Sequence, residues 1–147
     1  MDDDLTLANL GDAAGLDAEQ RELLGLVHTM LRAIHEGDLD TYRALSVPDI
    51  SCYETDVAPY RIDVLDFHID LMRAMREGGT YAGLVRFDIL TPRVQVYGDS
   101  AIAAYTRLMT YAREGAPVWR AFNETRVFAR LDGAWRMVHF HRSQAAI

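Results

Sequence analysis

The chain has 147 residues, half of them hydrophobic, with 15 Lys and Arg against 22 Asp and Glu for a formal charge of −7. That length suits one domain with a substantial core, and the acidic balance argues against a nucleic-acid surface, which needs clustered positive charge facing phosphates. A single cysteine, Cys52, permits no internal disulfide and gives no metal-ligand spacing.

No N-terminal stretch combines basic residues with an apolar run, and no run approaches the roughly 20 apolar residues that span a bilayer. The expectation is a cytoplasmic protein with no membrane partner, no cofactor and no metal. Residues 1–16, with their Asp2-Asp3-Asp4 run and Gly/Ala-rich continuation, are expected to form a flexible acidic tail. Residues 17–147 are expected to form the domain.

Asp17 with Gln20 three residues on is a helix-start signature, and Leu23, Leu24, Val27, Leu31 and Ile34 recur at helical spacing. The pattern predicts a helix over Ala18–Glu36, stopped by Gly37. Asp38 caps a second, short helix carrying Leu39, Tyr42 and Leu45, which ends before Pro48. Ile50 to Glu54 reads as a brief strand. A third helix is predicted from Arg61, with Ile62, Leu65, Ile69 and Met72 on one stripe and Asp63, Asp66, Asp70 and Arg73 on the solvated one. His68 lies at the boundary between the stripes, and Gly78-Gly79 ends the helix.

Four strands follow: Val85 to Tyr97, Ala101 to Ala112, Pro117 to Arg130, and Ala134 to Ser143. Their short connections predict an antiparallel meander. Pro92 cannot donate to a ladder, so its strand should be an edge or carry a bulge. Strands this long twist and curl, which gives an α+β pattern with the long helix across the concave side of the sheet. Trp119 and Trp135 read as packing residues.

The charges inside these strands are the unusual feature. Arg107 shares a face with Tyr105, Met109 and Tyr111 by the period of two, and Arg126 shares one with Glu124. Each arginine is either an internal ion-pair partner or the lining of a pocket. No acidic residue is expected on the strand face beside Arg107. His139 and His141 alternate around Phe140 and point to one face, but no third metal ligand accompanies them. No nucleophile elbow, phosphate-binding glycine loop or zinc spacing is present.

The closing hairpin turns at Asp132-Gly133, and its parity decides which residues meet. A strict two-residue loop pairs Leu131 with Ala134 and puts Arg126 on the same side as His139. A three-residue loop with Gly133 left-handed pairs Arg130 with Ala134 and puts Arg126 beside Arg142, and a bulge elsewhere would have the same effect.

The segments HEGDLDTYRAL, LDFH, TPRVQVYGDSAIAAYTRLMTY and ETRVFARLDGAWRMVHFHRS resemble the association (hub) domain of calcium/calmodulin-dependent protein kinase II, a branch of the nuclear transport factor 2-like superfamily. The resemblance covers Asp17 to Ser143. It implies a cone of long helix, shorter helices and strongly curved antiparallel sheet around a deep pocket, with assembly into homodimers and larger rings. It also implies a pocket for a small carboxylate or other small organic anion, lined at the matching positions by His68, Arg107, Arg126 and Arg142. Tyr53, where the kinase hub has Phe, and Tyr105 complete the expected ligand site.

With Arg126 and Arg142 in one pocket, the resemblance favours the even-parity hairpin over the strict two-residue turn. Internal carboxylates such as Glu54 or Glu124 could neutralise the arginines instead of a ligand. No kinase or calmodulin-binding segment is recognisable, so calmodulin is not an expected partner and the chain is expected to be a stand-alone homologue. The alternative implied by the wider superfamily is an enzyme of the SnoaL or ketosteroid-isomerase type, a cyclase or isomerase acting by proton transfer with His68 as general base. Fold similarity alone does not transmit such an activity.

Overall fold

The Asp17 carboxylate accepts from the Gln20 backbone N–H at 2.8 Å, and the Gln20 side chain accepts from the Asp17 N–H at 2.9 Å. This capping box starts helix α1, Ala18–Glu36. The computed structural model that shows it describes residues 15–146; the expected acidic tail lies, up to residue 14, outside the described residues. Gly37 ends α1 in the left-handed conformation at φ 76°. A Cβ there would also come within 2.6 Å of Arg76 Nε. The Arg76 guanidinium needs that space because it donates to the last carbonyls of α1, His35 O at 2.9 Å and Ile34 O at 3.3 Å.

Asp38 caps α2, Leu39–Ala44, by accepting from the Thr41 N–H. Strand β1 spans Ser46–Glu54, earlier than the Ile50 start read from sequence. It contains Pro48, which falls in the irregular stretch between the Ser46 and Ser51 pairings, where the ladder does not call on its missing N–H.

The third helix starts later than expected. Ile62–Asp63 is a short strand, β2, that pairs with Cys52 and Ser51 of β1, and helix α3 spans Leu65–Glu77. Ile62 fits the helical apolar stripe by spacing, yet it is buried by strand pairing. Val64, at φ 74°, makes the break between β2 and α3.

The meander is β3, Leu84–Tyr97; β4, Ser100–Arg113; β5, Ala116–Leu131; and β6, Ala134–Gln144. The sheet order is β2-β1-β6-β5-β4-β3. Every adjacent pair is antiparallel except β1 and β6, which run parallel, so the sheet is mixed where the sequence suggested a purely antiparallel one. Pro92 satisfies both expectations at once: β3 is an edge strand, and its register shifts between Leu90 and Arg93.

Leu23, Leu24, Val27, Met30 and Leu31 of α1 are buried with the alternate residues of β4, from Ala101 through Tyr105 to Tyr111. Each of these leucine, valine and methionine side chains of α1 contributes about 1.5 to 3 kcal/mol of gross burial free energy. Trp135 joins this core, but Trp119 is 48% exposed and does not pack as expected. It lies near the β4–β5 turn, opposite Thr110.

Candidate functional site

The hairpin turn is the strict two-residue type: Leu131 pairs with Ala134, and Asp132 and Gly133 both take positive φ, 51° and 82°. The preference against a strict two-residue turn is therefore corrected. Farther along, Phe128 pairs with Met137 while Val127 pairs with His139, leaving Val138 as one extra residue on β6. This bulge inverts the parity that the turn sets. Arg126 then faces Phe140, Glu124 faces Arg142, and His139 and His141 turn to the outer side of the sheet.

The bulge and the alternation of β4 bring three guanidiniums to the inner face. Arg107, Arg126 and Arg142 are all buried, and so are two carboxylates, Glu54 at the end of β1 and Glu124 on β5. Arg107 Nη2 approaches Glu124 Oε2 to 2.9 Å, an ion pair whose angles fall short of a hydrogen bond. Arg126 Nη2 reaches Glu124 Oε1 at 3.4 Å, while its Nε donates to the Tyr105 hydroxyl at 2.8 Å. That hydroxyl in turn donates to Glu124 Oε1 at 2.6 Å. Arg142 Nη2 lies 3.3 Å from Glu54 Oε2, again without hydrogen-bond alignment.

The two carboxylates are in different electrostatic positions. Burial opposes ionisation of Glu124, but Arg107, Arg126 and the Tyr105 hydroxyl outweigh it and hold the carboxyl below its usual range. Glu54 is shifted the other way, because burial exceeds the attraction of Arg142 and Arg126. Glu124 is thus held in its charged form, although its Oε2 has no hydrogen-bond partner, whereas burial disfavours the charge on Glu54.

His68 of α3 sits beside Glu54 with both ring nitrogens engaged. Nε2 is 2.9 Å from the Tyr42 hydroxyl and Nδ1 is 3.2 Å from Glu54 Oε1. Burial, with Arg126 and Arg142 adding repulsion, pushes its pKa down to about 3. The ring is therefore neutral; Nδ1 makes its hydrogen-bond contact with Cys52 Sγ at 3.9 Å, and its approach to Glu54 lacks hydrogen-bond alignment.

Of the six residues assigned to the ligand site from sequence, His68, Arg107, Arg126 and Arg142 line one cavity. Tyr105 stands behind it as the link between Arg126 and Glu124. Tyr53 is elsewhere: it is exposed on the outer face, with its ring against His139 and His141. Glu124 overturns the expectation that no acidic residue lies beside Arg107. Sequence reading had no role for Tyr42 or Tyr81, which also line the cavity. The free space is small, about 20 Å³, room for one or two water molecules.

Cys52, Glu54 and His68 are the one group of three metal-ligating side chains among the described residues with ligand atoms within 4.8 Å of one another. They suit a cation poorly. Burial, with the Glu54 charge next, pushes the Cys52 thiol up to about 12, and the repulsion from Arg126 and Arg142 that depresses His68 would act equally on a metal ion.

The calcium/calmodulin dependent protein kinase II association domain matches as a family over residues 19–146. The chain belongs to this family. The calcium/calmodulin-dependent protein kinase type II alpha chain of Drosophila melanogaster is 29% identical over 140 residues, 94% of this chain and 26% of that protein. The association domain therefore spans about a quarter of the length of the curated relatives it matches. The solved association domain of the C. elegans kinase superposes with a TM-score of 0.75 at 28% identity, covering 86% of this chain and 95% of that one. An NTF2-like protein with a cystatin-like fold from Novosphingobium aromaticivorans, 21% identical with a TM-score of 0.69 over 86% of this chain and 82% of its own, shares the fold. No helix among the described residues is long and apolar enough to cross a membrane.

Proposed function

We propose that this association domain is a self-associating, noncatalytic hub whose inner cavity receives a small organic anion, most simply a carboxylate. The observation that carries the reading is a mismatch of charge. Three arginines that keep their protons surround two carboxylates, and three donors, Arg107 Nε, Arg142 Nε and Arg142 Nη2, are buried without a hydrogen-bond partner against one such acceptor, Glu124 Oε2. Buried donors left unpaired are costly, and a forked guanidinium suits a carboxylate. Because the free space is water-sized, an entering anion must take the place of Glu54 on Arg142.

The outer face of the sheet supports the self-association part. Ile102, Ala104, Thr106 and Leu108 of β4 lie beside Thr125 and Val127 of β5, and these beside His139 and His141 of β6. This is a broad neutral surface of partly exposed side chains, of the kind that a second copy covers.

The proton-transfer alternative, with His68 as general base, has less support. A base needs a free lone pair facing its substrate, and both His68 nitrogens are engaged internally, Nε2 by the Tyr42 hydroxyl and Nδ1 by Cys52 Sγ.

Calorimetric titration of the whole chain with acetate and butyrate tests the cavity, with light scattering as the control for assembly. Arg126→Ala is the obvious variant, but Arg126 is held by Tyr105, Glu124 and Met137, and its loss would damage the core. Arg142→Gln is the better one, expected to weaken acid binding at least tenfold with the assembly mass unchanged. Absence of binding to the unaltered chain at millimolar acid, by both heat and thermal shift, would refute the reading.

A further inference from the structure

A second small cavity adjoins the first, and the two share Arg142 and Tyr81. Its lining adds Arg120 from β5 and Asp56 from the loop after β1, and its free space is about 10 Å³. Arg120 Nη2 is 2.9 Å from Asp56 Oδ2, in a pair that is about one-third exposed. Such pairs exchange partners with little loss.

Phe122 fixes the spacing between the two cavities. Its ring centroid lies 4.7 Å from the Arg142 guanidinium carbon and 5.1 Å from that of Arg120, with Arg107 at 5.8 Å. Arg142 and Arg120 are thus less than about 10 Å apart, a distance that two charge-assisted hydrogen bonds and a short carbon chain can bridge. Arg142 is the buried end and Arg120 the half-exposed end.

The chain already presents both positions with a tethered pair of acids. Glu54 meets Arg142 at 3.3 Å, and Asp56, two residues on, meets Arg120 at 2.9 Å. Neither hold is strong. The Glu54 contact leaves Arg142 Nε and Nη2 unbonded, and Asp56 keeps its place from a left-handed backbone at φ 59°. Tyr81, which lines both spaces, rides on a loop between Gly79 and Gly83, both at positive φ.

We propose that Arg120 is a second anion position and the specificity determinant of the cavity, which selects a short dicarboxylate of roughly four to six carbons that displaces Glu54 from Arg142 and Asp56 from Arg120 together. The proposal rests on the anion-binding reading of the inner cavity. A free diacid replaces both internal carboxylates at once, and the water-sized spaces are what remains while those carboxylates are in place. A monoacid gains only the inner position.

The test compares succinate, glutarate and adipate with the half-amide of each, by calorimetry at fixed pH and ionic strength on the whole chain. The best diacid is expected to bind at least tenfold more tightly than its own half-amide. Arg120→Gln is expected to lower that diacid to the affinity of the half-amide, and Asp56→Asn to tighten the diacid by removing its competitor. Equal binding of diacid and half-amide to the unaltered chain overturns the second position while leaving the inner one standing. Binding of no acid at all overturns the inner cavity and this proposal with it. Thermal midpoints of both variants within 2 °C or so of the parent are the check that the half-exposed pair was removed without loss of fold.

Discussion

Glu124 pairs with Arg142 across the β5–β6 ladder, where an uninterrupted two-residue hairpin would have paired it with His141. Val138, the unpaired residue between Met137 and His139, makes the difference. Inserting one alanine between Val127 and Phe128, opposite Val138, would complete the ladder there and turn Glu124, Arg126, Phe140 and Arg142 outward. The expected result is a loss of more than about 4 kcal/mol, enough to leave a marginal domain largely unfolded. Circular dichroism during urea titration reads it; an insertion variant with unchanged midpoint would show that the bulge does not set the inner face.

The two internal carboxylates are expected to differ in weight. Glu124→Gln strands Arg107 and Arg126 in the core and is expected to cost about 3 to 5 kcal/mol. Glu54→Gln relieves a carboxylate that burial already disfavours, and is expected to cost less than about 2 kcal/mol. Urea midpoints of the two variants decide the order, and equal losses would contradict the asymmetry.

Stability is expected to fall as the solution is acidified from pH 6.5. The folded pKa of His68, about 3, lies below its ordinary 6.5, so between those values the unfolded chain takes up a proton that the folded one refuses. The stability that depends on neutral His68 is complete above pH 6.5 and is lost progressively toward pH 3. Glu124, also shifted down, adds a loss below its ordinary 4.5. Glu54, shifted up, acts in the opposite sense from pH 4.5 up to its raised folded value. His68→Gln, which retains a donor and an acceptor, is expected to lessen the decline between pH 6.5 and 4.5, leaving the part due to His28, His35 and His139, which burial also shifts down. Thermal midpoints across that range check it; parallel curves for variant and parent would assign the decline to other groups.

Self-association through the outer sheet face predicts that Val127→Glu lowers the mass seen by light scattering at micromolar concentration. Val127 pairs with His139 near the middle of that face, and its side chain takes no part in the cavity. An isologous contact places a residue and its symmetry mate in one interface, so a single buried carboxylate is introduced twice. An assembly of unchanged mass would move the interface elsewhere.

The sequence alone determined what depends on neighbours in the chain. The capping pair Asp17 and Gln20, the stop at Gly37, the turn residues Asp132-Gly133 and the period-two burial around Arg107 are local rules, and each is found in the structure. The family was legible too, because runs such as AYTRL and HFHRS are specific in residue type and order. Three features needed the tertiary structure. Ile62 satisfied a helical stripe but went to a strand, because the edge of β1 offered it backbone partners. Tyr53 was assigned to the pocket by position in the resemblance, yet β1 lies parallel to β6 in a register that sets Tyr53 beside His141 on the outer face. The convergence of Arg126, Arg142 and Glu124 depended on a single unpaired residue, Val138. A bulge leaves no mark in an alternating pattern until the partner strand is known, since only the ladder shows which residue was passed over.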